Sequence, residues 1–304
     1  MTVHARGYRR FTGEVRRHPW PVLPIFRHAY RDATRGGGYL TMRIFVLLFW
    51  LVAAIQVVFT AGSFADAARR MGIPTPDDTE LARAGLRLVL LEFHHTNALF
   101  VVLLSLFVGS GLVADDLRTR ALPLYLVRPL GPVDYFLGKW LVVPASLLVH
   151  VLLPGVMLVV LTALTRPAGE AWGFFLDQGD IQRVLALHWA VVAFGYGSLV
   201  LLFSTFARRR IPAFVFGTLA FMGGFVIALA ASRIKGPVGE TARGFSLVGD
   251  GLRVLLDGLD VPLGRRGPPR FLASETMAYG VPAALFLLCA FVVIRRARTT
   301  EVVS

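Results

Sequence analysis

The chain alternates between long stretches without charge and shorter ones crowded with arginine. Asp, Glu, Lys and Arg are absent from 44–65, 93–114, 140–165, 184–207, 211–232 and 276–294, which are 22, 22, 26, 24, 22 and 19 residues long. No other charge-free stretch reaches 18 residues. Roughly 20 apolar residues cross a bilayer core as a helix. The pattern therefore predicts an all-α integral membrane protein with six transmembrane helices. The sixth is the shortest, but it is uniformly apolar at VPAALFLLCAFVVI.

Outside these stretches the hydrophobic spacing changes to that of amphipathic helices. Phe26, Ala29, Tyr30 and Ala33 recur at helical spacing, with Arg27, Arg31 and Arg35 on the other face. This predicts a helix lying on the membrane surface, with Trp20 and Tyr30 among the headgroups and Gly36-Gly37-Gly38 at its end. The competing reading is a basic tail without fixed structure. In the first outer loop, Asp77 and Glu80 have capping-box spacing and predict a short helix leading into the second span. In the last outer loop, FSLVGDGLRVLLDGLD puts Phe245, Val248, Leu252, Leu255, Leu256 and Leu259 on one face. Asp250, Arg253, Asp257 and Asp260 fall mostly elsewhere, so a helix lying on or dipping into the outer membrane face is expected.

Composition agrees with a membrane protein. Hydrophobic residues make up 55% and charged residues only 17%, against about 25% charged in a soluble domain. With the N-terminus inside, the inner segments 1–43, 115–139, 207–210 and 295–304 hold 19 Lys and Arg against 6 acids. The outer segments hold 13 of each, so the net charge of +13 falls on one side. Positive charge marks the cytoplasmic side, which predicts two cytoplasmic termini. The divisions expected are a cytoplasmic 1–43, a transmembrane 44–294 and a cytoplasmic tail 295–304. The long first apolar run predicts a retained span rather than a cleaved signal peptide. The basic charge flanks spans, where it serves topology and anionic lipid, so nucleic acid is not an expected partner. Cys289 lies inside the sixth span and is read as a small apolar filler.

Chemistry is sparse. The charge-free stretches offer no intramembrane acid or base of the kind proton- and sodium-driven carriers use. His150 and His188 are isolated in sequence and read as packing residues. Glu92, His94 and His95 form the one candidate metal or catalytic cluster. Histidines at i and i+1 of a helix point about 100° apart, so they read as interfacial instead. The Gly138-Lys139 pair lacks Walker A spacing, and Trp140 stands where a magnesium-binding Ser or Thr would follow. No enzyme activity and no cofactor of this chain's own are expected.

The most specific stretch is GSGLVADDLRTRALPLYLVRPLGPVDYFLGKW, Gly109 to Trp140, between the second and third spans. Asp115 and Asp116 can cap a new helix start, DLRTRALPLYLV, by accepting from free backbone N–H groups. Leu117, Ala121, Leu124 and Tyr125 give it an apolar side against Arg118, Thr119 and Arg128, and Pro129 and Pro132 end it. Lys139 then reads as an anchor at the headgroups.

This segment resembles the ABC type-2 exporter permeases, the membrane subunits of one class of ATP-binding-cassette transporters. The resemblance rests on Gly109-Gly111, Asp115-Asp116, Arg118, the run ALPLYLV, Arg128-Pro129, Tyr135 and Leu137-Gly138-Lys139, about 30 residues. The six-span layout and the N-terminal amphipathic helix extend it along the chain. It implies that the connector is a cytoplasmic coupling helix, with Asp115, Asp116, Arg118, Arg128, Tyr135 and Lys139 as coupling residues. Trp20, Phe26 and Tyr30 would belong to the interface helix. It further implies a separate ATPase subunit holding ATP and magnesium, a second permease copy or paralogue, and a bacterial plasma membrane. The alternative is a non-transporting membrane anchor for an ATPase or for envelope machinery.

Overall fold

The computed structural model describes residues 20–70, 78–121, 131–167, 169–260 and 269–301, with backbone alone at 60–70, 78 and 299–301. These residues form helices and turns, with no strand among those described. Six segments are long and apolar enough to cross a membrane: Gly37–Phe59, Thr79–Thr119, Pro132–Leu164, Gly179–Phe206, Arg210–Ala231 and Glu275–Arg298. Each contains most or all of one charge-free stretch, because a charge in hydrocarbon costs several kcal/mol or more.

The helices are α1 (Val22–Thr34), α2 (Gly37–Arg70), α3 (Asp78–Gly109), α4 (Ala114–Thr119), α5 (Pro132–Trp140) and α6 (Val142–Leu147). A π-helical turn (Leu148–Leu152) leads into α7 (Leu153–Leu164). Then come α8 (Ala171–Asp177), α9 (Gly179–Phe206), α10 (Arg210–Ala231), α11 (Pro237–Arg243), α12 (Leu247–Gly258) and α13 (Glu275–Glu301). The second and fourth spans are central, with two thirds of their apolar windows buried. The first, fifth and sixth spans bury less than a third and turn the rest outward.

Glycine lets the central helices close up. A Cβ at Gly109 would meet Val200 Cγ1 at 2.6 Å and Val143 Cγ2 at 3.1 Å, so spans two, three and four touch there only because it is absent. One at Gly224 would meet the Phe245 carbonyl oxygen at 2.2 Å, which seats the start of α12 on α10. The third span is not a single α-helix. Pro144 and Pro154 flank the π-helical turn, and each proline's carbonyl accepts an indole N–H, from Trp189 (3.3 Å) and Trp50 (3.2 Å) respectively.

Three expectations change here. The helix foreseen before the second span is that span's own first turns, continuous from Asp78; Asp77 of the capping box lies outside the described residues. The amphipathic helix α12, foreseen on or dipping into the outer membrane face, packs its length against α9 and α13. Its Asp250 is fully buried, not on a solvated side. Ser246 caps it, accepting the Gly249 N–H at 3.2 Å.

Candidate functional site

Two helix ends and α1 meet where the second span hands over to the third. The turn after α3 is held by the fourth span. The Ser204 hydroxyl accepts the N–H groups of Val113 and Ala114, both at 3.0 Å, and donates to the Ser110 carbonyl at 2.9 Å. That satisfies donors a helix start leaves open. Asp115 and Asp116, expected to cap this start, do not: the N-cap is Val113, with no capping side chain of its own. Ser204 carries no local sequence signal, since it lies at the far end of another span.

Asp116 is instead turned inward. Its Oδ2 accepts the Tyr135 hydroxyl at 2.8 Å and lies 2.7 Å from Lys139 Nζ. Tyr135 and Lys139 are buried, at 1% and 4% exposure. Lys139 also stands 5.7 Å from the centroid of the Tyr135 ring. The anchor role expected for Lys139 is therefore corrected. Its ammonium faces a carboxylate inside the protein because α5 brings it over the end of the second span. A buried ion pair needs such added hydrogen bonding to offset desolvation.

Asp115 stays nearer the surface, 3.6 Å from the exposed Arg118, and its carbonyl accepts the Thr119 hydroxyl at 2.8 Å. The helix expected to run through ALPLYLV stops early. Arg120 takes a left-handed conformation (φ 55°), and its N–H bonds back to the Asp116 carbonyl. Residues 122–130, with Arg128 and Pro129, lie outside the described residues. At the far arm, the Asp134 carboxylate accepts the Gly131 N–H at 2.9 Å and opens α5.

The α1 helix closes the third side. Ile25, Ala29 and Ala33 are buried, and Phe26 and Tyr30 are partly buried against the central core. Thus the face expected to meet headgroups is largely spent on the protein. Gly138 explains the fit: a Cβ there would lie 2.7 Å from Ile25 Cβ. Trp20 and Leu23 remain exposed. Between α1 and the connector is a cavity of about 460 Å³ of empty space, with His28, Asp32, Gly111, Asp115, Asp116, Lys139 and Arg210 on its walls. Arg210 crosses it to the Phe107 carbonyl.

The site thus joins five of the expected connector residues at one end of the bundle, Asp115, Asp116, Arg118, Tyr135 and Lys139, with Phe26 and Tyr30 of α1 against the same core. At the other candidate cluster, His94 is buried while Glu92 and His95 are exposed, so the three diverge. Among the described residues no group of three or more His, Cys, Asp or Glu could hold a metal ion.

Fold and site define a multi-pass, all-helical membrane protein whose second and third spans are clamped together through a buried ion pair. No protein-family model matches the chain, and no curated protein matches it.

Proposed function

We propose that the chain is the membrane subunit of an ATP-binding-cassette transporter of the exporter type, driven by a separate ATPase that docks on the 115–139 connector. The observation that carries this reading is the Asp116–Tyr135–Lys139 clamp. A connector that transmits force must not fold up when pushed. Here its two arms are tied across a buried pair, so displacement of the connector moves the ends of spans two and three together. Arg118, Thr119 and Arg120 are exposed beside the clamp and present charge to a partner. In this reading α1 lies along the inner membrane face with Trp20 and Leu23 toward lipid. Both termini are cytoplasmic, and a second permease completes the unit in a bacterial plasma membrane. ATP and magnesium are held by the ATPase, and this chain performs no catalysis.

Co-purification with the cognate ATPase tests it. Arg118→Glu places an acid where a partner groove would meet a base. Loss of a desolvated charged contact costs about 2–5 kcal/mol, so association and coupled ATP hydrolysis should fall while the permease stays folded. Lys235→Glu, exposed in the loop after α10, is the control and should leave both intact. Equal behaviour of the two variants removes the docking role. Association with an ATPase without any transported substrate would favour the anchor reading.

A further inference from the structure

A second cavity lies inside the bundle, between spans two, three and four and α12. Its walls carry three histidines from three different spans, His94, His150 and His188, together with Asn97. All four are at least nine-tenths buried. The rings of His94 and His188 meet edge to face, with centroids 4.9 Å apart. Two glycines make room for them: a Cβ at Gly155 would lie 3.3 Å from His94 Cε1, and one at Gly251 3.3 Å from His188 Cε1.

The hydrogen bonding fixes what each ring offers. Nδ1 of His94, His150 and His188 lies 2.8, 2.7 and 2.9 Å from the carbonyls of Leu90, Ser146 and Gly251. A carbonyl oxygen only accepts, so Nδ1 carries the proton and, in the neutral ring, Nε2 is left as an acceptor. For His150 that Nε2 is buried with no partner, and both polar atoms of Asn97 are equally bare; the His94 ring has the Val151 carbonyl as a second neighbour. Buried polar atoms are rarely left so, because an unmade hydrogen bond in the interior is costly. Two side chains with this deficit in one cavity mark a place for a molecule that supplies donors.

We propose that this cavity binds an uncharged, hydroxyl-bearing molecule, either a free polyol or the glycerol headgroup of a neutral lipid. Its hydroxyls donate to Nε2 of His150 and to the Asn97 carbonyl oxygen, and the Asn97 amide N–H donates back. Four observations select this chemistry. No Asp, Glu, Lys or Arg lines the cavity, so a permanent ion would sit unpaired. A metal is disfavoured by the absence of a three-ligand group among the described residues. Apart from His95 and Tyr196, the remaining walls are apolar, including Phe93, Val101, Val151 and Leu255. The space takes roughly three water-sized groups, which matches a glycerol unit. Nothing in this depends on a docked ATPase.

The test uses the full chain in phosphatidylcholine nanodiscs, whose headgroups carry no hydroxyl. Labelled monoolein should be retained saturably. Its 2,3-difluoro analogue, in which fluorine of similar size replaces each hydroxyl and donates nothing, should bind about 10–30-fold more weakly, as expected for two lost hydrogen bonds. Asn97→Leu, close in size, should shrink that difference; if this variant does not fold, the wild-type comparison decides alone. Competition by free glycerol identifies the polyol as ligand, and its failure identifies the lipid headgroup; either outcome upholds the site. Equal retention of monoolein and the difluoro analogue overturns it. So does zinc chloride displacing monoolein, which would assign the histidines to a metal.

Discussion

The Lys139 ammonium lies 2.7 Å from the Asp116 carboxylate, and neither group reaches the surface by more than a small fraction of its area. Each residue sits at the end of a different span, so the pair sets the distance between those ends. It also makes the two charges interdependent.

Removal of one partner takes the buried countercharge from the other. Lys139→Met leaves Asp116 with the Tyr135 hydroxyl alone, and Asp116→Asn leaves a buried ammonium. Each single variant should lose about 3–5 kcal/mol, read as a lowered unfolding midpoint in detergent. The double variant Asp116→Asn/Lys139→Met should recover much of the loss. Additive losses would mean that the two groups do not interact.

Gly138→Ala tests the seat of α1. The new methyl meets Ile25, whose own Cβ is 2.7 Å away, and overpacking of this kind costs about 1–3 kcal/mol. The N-terminal helix should lift, exposing residues near Ile25 to limited proteolysis. An unchanged cleavage pattern in the single variant would show that α1 is held elsewhere.

Ser204→Ala removes the acceptor for two backbone donors. A lost cap is worth about 0.5–2 kcal/mol. Stability should fall by that order, and amide exchange at Val113 and Ala114 should quicken while exchange deep in the fourth span stays slow. Uniform quickening would assign Ser204 a general packing role.

Asp250 gives a pH dependence of definite sign. Burial pushes its carboxyl up to about 8 from an ordinary 3.8. Between those values the folded chain keeps a proton that the unfolded chain has released. Stability therefore falls as pH rises through that window and levels off above it. Asp250→Asn should flatten this slope, matching wild type near pH 4 and exceeding it near pH 8. Parallel curves for the two proteins would refute the assignment.

What could be read from the residues depended on whether its cause was local. Hydrocarbon excludes charge from every turn of a span, so Arg43, Asp66, Glu92 and Asp115 bracket the first two spans in plain view. The Asp116–Lys139 pair left no such mark. A lysine at the end of a span reads as an anchor, and only the packing of α5 against α1 and the sixth span, with Asp116 alongside, turns it inward. The same holds for His94, His150 and His188, which come from three spans and converge through helix packing that spacing cannot reveal. Asp250 sits where the amphipathic pattern wants a polar residue, yet α9 and α13 cover that side of α12. Arg120 ends α4 in a left-handed conformation that β-carbon residues seldom take, so helical periodicity overran it.

The π-helical turn at Leu148–Leu152 divides the third span into two segments with separate phases. A π turn holds one residue more than an α turn would need, so the faces beyond it are rotated from where a regular helix would set them. Tyr135, Lys139 and Trp140 belong to the phase before it, and Pro154 and Gly155, beside Trp50 and His94, to the phase after it. Loss of a single residue within the turn would keep the clamp in register while re-aiming everything downstream. One span can thus take two independent kinds of substitution, one before the turn that bears on the Asp116–Lys139 clamp and one after it that bears on the packing around Trp50 and His94.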